Sequence, residues 1–72
     1  MKIRYDSQYD VLYCNLVDNA NDYSASTDGS VETFRDVDTD EVTGYVIYDF
    51  KEWLNETIKE TSESNVNHKS RL

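Results

Sequence analysis

The sequence contains no proline, two glycines, one cysteine and one histidine. The single thiol, Cys14, cannot form an internal disulfide, and such sparse cysteine usage is typical of a reducing compartment such as the cytosol. His68 stands alone, so the chain has no Cys/His cluster with the spacing of a zinc site. Residues 1–10 lack the apolar stretch of a secretion signal, and no apolar run is long enough to span a bilayer. We therefore predict a soluble, cytoplasmic protein without a cofactor.

Basic residues are also scarce. Seven Lys and Arg stand against fifteen Asp and Glu, which gives a formal net charge of −8. Between Tyr5 and Phe50 the only basic residue is Arg35. Nucleic-acid binding relies on clustered Lys and Arg, so this composition argues against direct contact with phosphate backbones. It favours a protein partner with a basic surface, because opposite charges steer association.

The length of 72 residues is sufficient for one domain. A core of this size is marginal unless disulfides, a metal or oligomerisation add stability. Since the sequence offers neither a disulfide nor a zinc cluster, we predict a homodimer. We divide the chain into one domain over residues 1–61 and a polar, disordered tail over residues 62–72.

Apolar and polar residues alternate along several short stretches, which is the pattern of half-buried β-strands. On the second stretch we expect Leu12, Cys14 and Leu16 to form the core face. Polar turns separate the stretches, including Asp28-Gly29. The predicted strands are residues 2–5, 11–17, 31–37 and 42–48, with residues 23–26 as a candidate edge strand.

The period of the pattern changes after Tyr48. Asp49, followed three residues later by Glu52, forms a capping box that starts a helix. An apolar stripe at helical spacing then continues to about residue 61, formed by Phe50, Trp53, Leu54 and Ile58.

These patterns together predict an α+β fold, with a small antiparallel β-sheet of three to five hairpin-linked strands and one C-terminal α-helix. We expect the helix to lie across one sheet face and cover Leu12, Leu16, Phe34 and Ile47. The alternative is that Trp53, Leu54 and Ile58 complete a dimer.

The first 50 residues resemble a family of short bacterial proteins, the domain of unknown function family 2283. That family opens with a strand ending in Tyr-Asp, continues with Asp-x-Leu-Tyr-x-x-Leu, and later carries Asp-Gly and an acidic turn before Val-x-Gly. The resemblance implies a small β-rich fold and supplies no catalytic site; the helix after Phe50 departs from it. Residues that carry it are Tyr5, Asp6, Asp10, Leu12, Tyr13, Leu16, Asp28, Gly29, Asp36, Asp38, Val42, Gly44 and Ile47.

Three groups of residues are candidates for chemistry. Asp36, Asp38 and Asp40 occupy the first three ligand positions of a calcium loop, but the positions that require Gly and a bidentate Glu carry other residues. A weak divalent-metal site is therefore an alternative to a solvated acidic turn. Asp6 and Asp10 flank a turn that they are expected to cap, and Cys14 lacks the basic neighbour of a reactive thiol. We assign no catalytic residues.

Six tyrosines accompany the acids, a combination typical of protein-binding surfaces. Tyr9, Tyr13 and Tyr23 are predicted to be exposed. Our leading hypothesis is a small, acidic, non-enzymatic protein that binds and inhibits a basic, nucleic-acid-handling protein, with carboxylates able to stand in for phosphates as a nucleic-acid mimic. Phage inhibitors of defence nucleases and antitoxins that neutralise RNases share this short, acidic, disulfide-free profile. The alternatives are a structural or accessory homodimer and a weak metal-binding module. Predicted partner-binding residues are Tyr9, Tyr13, Asp18, Asp22, Tyr23, Asp28, Glu32, Asp36, Asp38, Asp40 and Glu41.

Overall fold

Five short segments with alternating polarity form one antiparallel sheet, and a helical segment follows. The computed structural model describes residues 1–69, with side chains up to residue 60. It confirms the predicted α+β fold. The elements are β1 (Lys2–Asp6), β2 (Val11–Asn15), β3 (Asp22–Asp28), β4 (Val31–Asp36), β5 (Val42–Ile47) and α1 (Phe50–Lys69).

The strand order in the sheet is β1-β2-β5-β4-β3. One hairpin joins β1 to β2, and a meander joins β3, β4 and β5. The two units meet where β2 pairs with β5, with Leu12 opposite Ile47 and Asn15 opposite Gly44. The candidate edge strand at residues 23–26 is longer than predicted, because it pairs with β4 over nearly its whole length.

Strand pairing places the side chains on two faces, which we name the helix-side face and the far face. Buried apolar residues occur on both, because Ile47 belongs to the helix-side face whereas Val11 and Val46 belong to the far face. The core therefore does not lie on the single face predicted for β2. The helix-side face carries Ile3, Tyr5, Leu12, Cys14, Val31, Tyr45 and Ile47, and the far face carries Lys2, Arg4, Val11, Tyr13, Glu32, Phe34 and Val46.

The prediction that the helix covers four sheet residues is wrong. Leu12 and Ile47 lie on the helix-side face but Phe34 lies on the far face, and Leu16 follows the end of β2 with 39% of its surface exposed. The first residue of α1 contacts the sheet, because the Phe50 ring lies 5.7 Å from that of Tyr5.

Helix α1 begins at Phe50 as predicted, but Asp10 caps it in the place predicted for Asp49. The Lys51 N–H donates to both carboxylate oxygens of Asp10 at 3.3 Å, and the Phe50 N–H donates to the Asp10 carbonyl at 3.0 Å. Asp49 has a positive φ of 48° at the bend that connects β5 to the helix.

The helix continues to Lys69, beyond the predicted end, because no glycine or proline follows Gly44 to stop it. Part of the predicted tail, residues 62–69, falls within these helix bounds. Residues 70–72, and side chains from residue 61 onward, lie outside the described residues. The division of the chain at residue 61 stays a prediction.

Candidate functional site

Most of the predicted partner-binding acids gather at one end of the sheet, which we call the acidic end. The antiparallel topology brings together the β2–β3 loop, the start of β3 and the β4–β5 turn, and Asp22 stands opposite Asp36 in the register. All of these side chains are exposed except Asp36, which is half-buried. The acidic end comprises Asp18, Asp22, Asp36, Asp38, Asp40 and Glu41.

Two of these acids are engaged in forming the β4–β5 turn. Asp36 Oδ1 accepts the N–H groups of Asp38 at 2.8 Å and Thr39 at 3.0 Å. These bonds, led by the one from Thr39, lower the pKa of Asp36 because they favour the charged carboxylate. Asp40 closes the turn in the left-handed region, with φ of 62°, and its carboxylate accepts the Tyr23 hydroxyl at 2.8 Å.

The turn does not assemble the predicted metal ligands. The carboxylate of Asp36 is directed at backbone amides and that of Asp40 at the Tyr23 hydroxyl, so neither converges with Asp38 on a common point. Within the described residues, no group of three or more His, Cys, Asp or Glu side chains is placed to hold a metal ion.

The β1–β2 turn repeats this arrangement. Asp6 Oδ1 accepts the N–H groups of Gln8 at 3.0 Å and Tyr9 at 3.3 Å. Asp10 has φ of 57°, and its carboxylate accepts the Tyr5 hydroxyl at 2.6 Å. Asp6 therefore caps the turn as predicted. Asp10 closes the turn, but its carboxylate accepts the Tyr5 hydroxyl and a backbone N–H at the start of α1 and does not cap the turn amides. The equivalence of the two turns was not predicted, although both share an Asp-x-x-x-Asp spacing at the end of a strand.

Both turn-closing carboxylates raise the pKa of a tyrosine. The Tyr5 hydroxyl is held protonated mainly by its hydrogen bond to Asp10, and the Tyr23 hydroxyl mainly by its hydrogen bond to Asp40. In each case deprotonation would remove the donor and place a phenolate beside a carboxylate. Some of the tyrosines and acids therefore serve to stabilise the two turns.

Glu32 and Asp28 lie away from the acidic end. Glu32 sits on the far face and accepts the hydroxyls of Ser24 at 2.5 Å and Tyr48 at 2.7 Å. These bonds, first that from Ser24, lower the pKa of Glu32. Asp28 is exposed at the β3–β4 hairpin, at the opposite end of the sheet.

The three tyrosines predicted to be exposed differ in their surroundings. Tyr9 is 68% exposed in the β1–β2 turn, and Tyr23 is 44% exposed at the acidic end. Tyr13 is half-buried instead, because the Arg4 guanidinium on the neighbouring strand covers its ring at 4.1 Å from the centroid. The predicted binding residues therefore do not form one continuous site.

A shallow pocket of about 220 Å³ opens on the far face between β2, β5 and β4. The rings of Tyr13 and Phe34 stand on its two sides, with Val46 and the backbone of Gly44 between them. Asn15 and Asp22 supply polar groups to its lining, and Asp22 links it to the acidic end. Sequence periodicity gave no signal for this pocket, which depends on register across three strands.

Comparison with protein-family models, curated proteins and solved structures gives no match for this chain. The resemblance of its first 50 residues to the domain of unknown function family 2283 therefore stays a prediction. In the described part of the chain, no helix combines the length and the apolar character needed to cross a membrane.

Proposed function

We propose that this protein is a non-enzymatic binder that uses its acidic end to occupy a basic surface on a nucleic-acid-handling protein, and thereby inhibits it. The proposal is supported by the concentration of carboxylates at one end of a chain with a net charge of −8. Carboxylates on a rigid surface act as a counterpart to Lys and Arg, in the way that phosphates do.

The proposal depends on one observation: some acids of the acidic end form the turn, whereas others are exposed and can contact a partner. Asp36 and Asp40 stabilise the turn through their own hydrogen bonds. Asp18, Asp38 and Glu41 are exposed, and their carboxylates are not engaged as hydrogen-bond acceptors in the described part of the chain. The turn-forming acids therefore hold a rigid frame that presents these three charges to a partner.

The test is a pull-down from a bacterial lysate over a salt series, with two matched variants. The first carries Asp18→Asn, Asp38→Asn and Glu41→Gln. The second carries Glu52→Gln, Glu56→Gln and Glu60→Gln on the exposed surface of α1. Each set changes the net charge from −8 to −5, so the two differ only in where charge is removed.

The expected result is one basic partner that is released as salt rises, that is lost in the first variant and that is retained by the second. Its nucleic-acid-binding or nuclease activity should fall when this protein is added. Equal loss of the partner in both variants would show that binding depends on net charge and not on the acidic end. Capture of no partner at any salt concentration would contradict the proposal for that host.

A second candidate function, an accessory homodimer, is favoured by the small extent of burial. Among residues 1–60 the buried apolar side chains are Val11, Val46 and Ile47, and none is completely inaccessible. A core of this size is marginal for an isolated monomer, and burial of exposed apolar side chains against a second copy would add stability.

The surface suited to a second copy is the helix-side face of β1, β2 and β5. Its residues are uncharged, so two strongly acidic chains can approach there with the least repulsion. Ile3 on this face is 62% exposed, and Ile58 on α1 is 54% exposed.

Sedimentation equilibrium tests this second candidate. Ile3→Glu and Ile58→Glu should give monomers, whereas Val37→Glu should leave a dimer intact. Val37 is the matched control because it is also 54% exposed but lies in the β4–β5 turn. A wild-type chain that remains monomeric at high concentration would contradict the homodimer.

A further inference from the structure

The pocket on the far face exists because β5 carries a glycine between two larger neighbours. Gly44 pairs with Asn15 on one side and Phe34 on the other, and it leaves the space between them unfilled. A Cβ at this position would lie 2.7 Å from the Cys14 carbonyl oxygen, so a side chain cannot be added without moving the backbone of β2. The hollow is therefore built into the strand pairing.

The lining combines aromatic rings with one carboxylate. Tyr13 and Phe34 are half-buried and present ring surface, and Val46 forms an apolar floor. Asp22 is held in place because its Oδ2 accepts the hydroxyl of Thr43 at 2.8 Å, and Thr43 itself is only 3% exposed. Asp22 lines the pocket, and its second carboxylate oxygen, Oδ1, accepts no hydrogen bond in the described part of the chain. Rings beside a fixed carboxylate are suited to a cation.

The molecule already shows that one of these rings accepts a guanidinium. Arg4 stacks on Tyr13 from the β1 side, 4.1 Å from the ring centroid. The pocket adjoins the same tyrosine from the opposite side, where β5 is the neighbouring strand and β4 lies beyond it. A volume of about 220 Å³ falls below the range of roughly 300–1,000 Å³ typical of small-molecule sites, and it suits a single side chain.

We propose that this pocket seats one arginine side chain of the basic partner, with its guanidinium between Tyr13 and Phe34 and a hydrogen bond to Asp22. The inference rests on the proposed function and deepens it by assigning the specific anchor. Arginine is favoured over lysine because its planar group both stacks on rings and donates in a fixed geometry. Arginine and tyrosine are also, with tryptophan, the residues enriched at the positions that dominate interface energies.

The test is an NMR titration at low salt with the peptide acetyl-Gly-Arg-Gly-amide. The observed signals are the rings of Tyr13 and Phe34 and the methyl groups of Val46. The same peptide with citrulline, which is neutral and similar in shape, and the same peptide with lysine serve as comparisons. The arginine peptide should shift the pocket signals, the lysine peptide should bind more weakly, and the citrulline peptide should shift them little.

Three variants locate the binding. Asp22→Asn keeps an oxygen for Thr43 but removes the charge, and Phe34→Leu keeps an apolar side chain but removes the ring. Each variant should raise the Kd of the arginine peptide about fivefold, which corresponds to the loss of one cation–π contact or one charge-assisted hydrogen bond. Asp38→Asn removes the same charge outside the pocket and should change binding less than twofold, since exposed charges are screened.

Two outcomes overturn the inference: equal weakening by Asp22→Asn and Asp38→Asn, or citrulline binding as well as arginine. Failure of the proposed function is recognised separately. If a partner is captured and the Asp22→Asn and Phe34→Leu variants retain it fully, the function stands and the pocket is not its anchor. If no partner is captured but the arginine peptide shifts the pocket signals selectively, the cation seat stands and the proposed function fails.

Discussion

Replacing Asp10 should destabilise the protein more than replacing any exposed acid of the acidic end. Its carboxylate caps α1 through the Lys51 N–H, 41 residues away in sequence. Loss of a helix cap costs about 1 kcal/mol. Alanine at φ of 57° adds about 1 kcal/mol, because a Cβ is disfavoured in the left-handed region and aspartate tolerates it better. We therefore expect Asp10→Ala to lower the free energy of unfolding by about 2 kcal/mol.

For a chain of this length, that change corresponds to a fall in Tm of about 8–16 °C. Thermal unfolding should be followed by circular dichroism at 222 nm and by the fluorescence of Trp53, the single tryptophan, which stacks on Phe50. Asp10→Asn should cost less than half as much, because asparagine also caps and tolerates a positive φ. Asp38→Ala, a change of similar chemistry in the other turn, should stay within about 0.5 kcal/mol of wild type. Equal stability of Asp10→Ala and Asp38→Ala would refute the assignment of Asp10 as the cap.

Three further changes test other contacts. Hydrogen bonds lower the pKa of Glu32, so the charged carboxylate contributes its full stabilisation above pH 4.5, its ordinary pKa, and loses it as pH falls through the lowered pKa. Glu32→Gln should therefore flatten the dependence of the free energy of unfolding, measured with urea, on pH below 4.5. The pKa of Asp36 is lowered from 3.8, so Asp36→Asn should flatten the profile below pH 3.8. An unchanged slope in either variant would contradict the contacts described. Gly44→Ala should cost about 1–3 kcal/mol in chemical denaturation, because its Cβ meets the β2 backbone. Gly29→Ala, which meets no atom within 4 Å and is strained only by its φ of 59°, should cost less.

The strands and the start of the helix could be predicted from local patterns, because alternation and the change of period are written in adjacent residues. The faces could not. Periodicity places Leu12 and Phe34 each on a face of its own strand, but only the pairing register shows that those faces are opposite. The irregular pairing between Phe34 and Arg35 also interrupts the alternation in β5, where Thr43 becomes buried.

The acidic end was partly predictable for a different reason. Sequence alone shows where acids are dense, but not which of them the fold uses. Asp10 and Asp49 are both residues of a type that caps helices. Asp49 immediately precedes the helix in sequence and was therefore predicted as the cap. The structure uses the distant one, because the β1–β2 turn lies beside the beginning of α1. Capping by a residue so distant in sequence follows no spacing pattern, so it cannot be predicted from the sequence around the helix start.

The strand order also has a consequence for how the chain folds. The β1–β2 hairpin and the β3–β4–β5 meander each contain only neighbouring strands, so each can form with little loss of loop entropy. The seam between β2 and β5 joins residues about thirty positions apart, such as Asn15 and Gly44, and it requires the preformed units to meet. We expect seam formation to limit the folding rate. Substitutions at Tyr13 or Val46 should then slow refolding, whereas those in the outer strands should mainly accelerate unfolding.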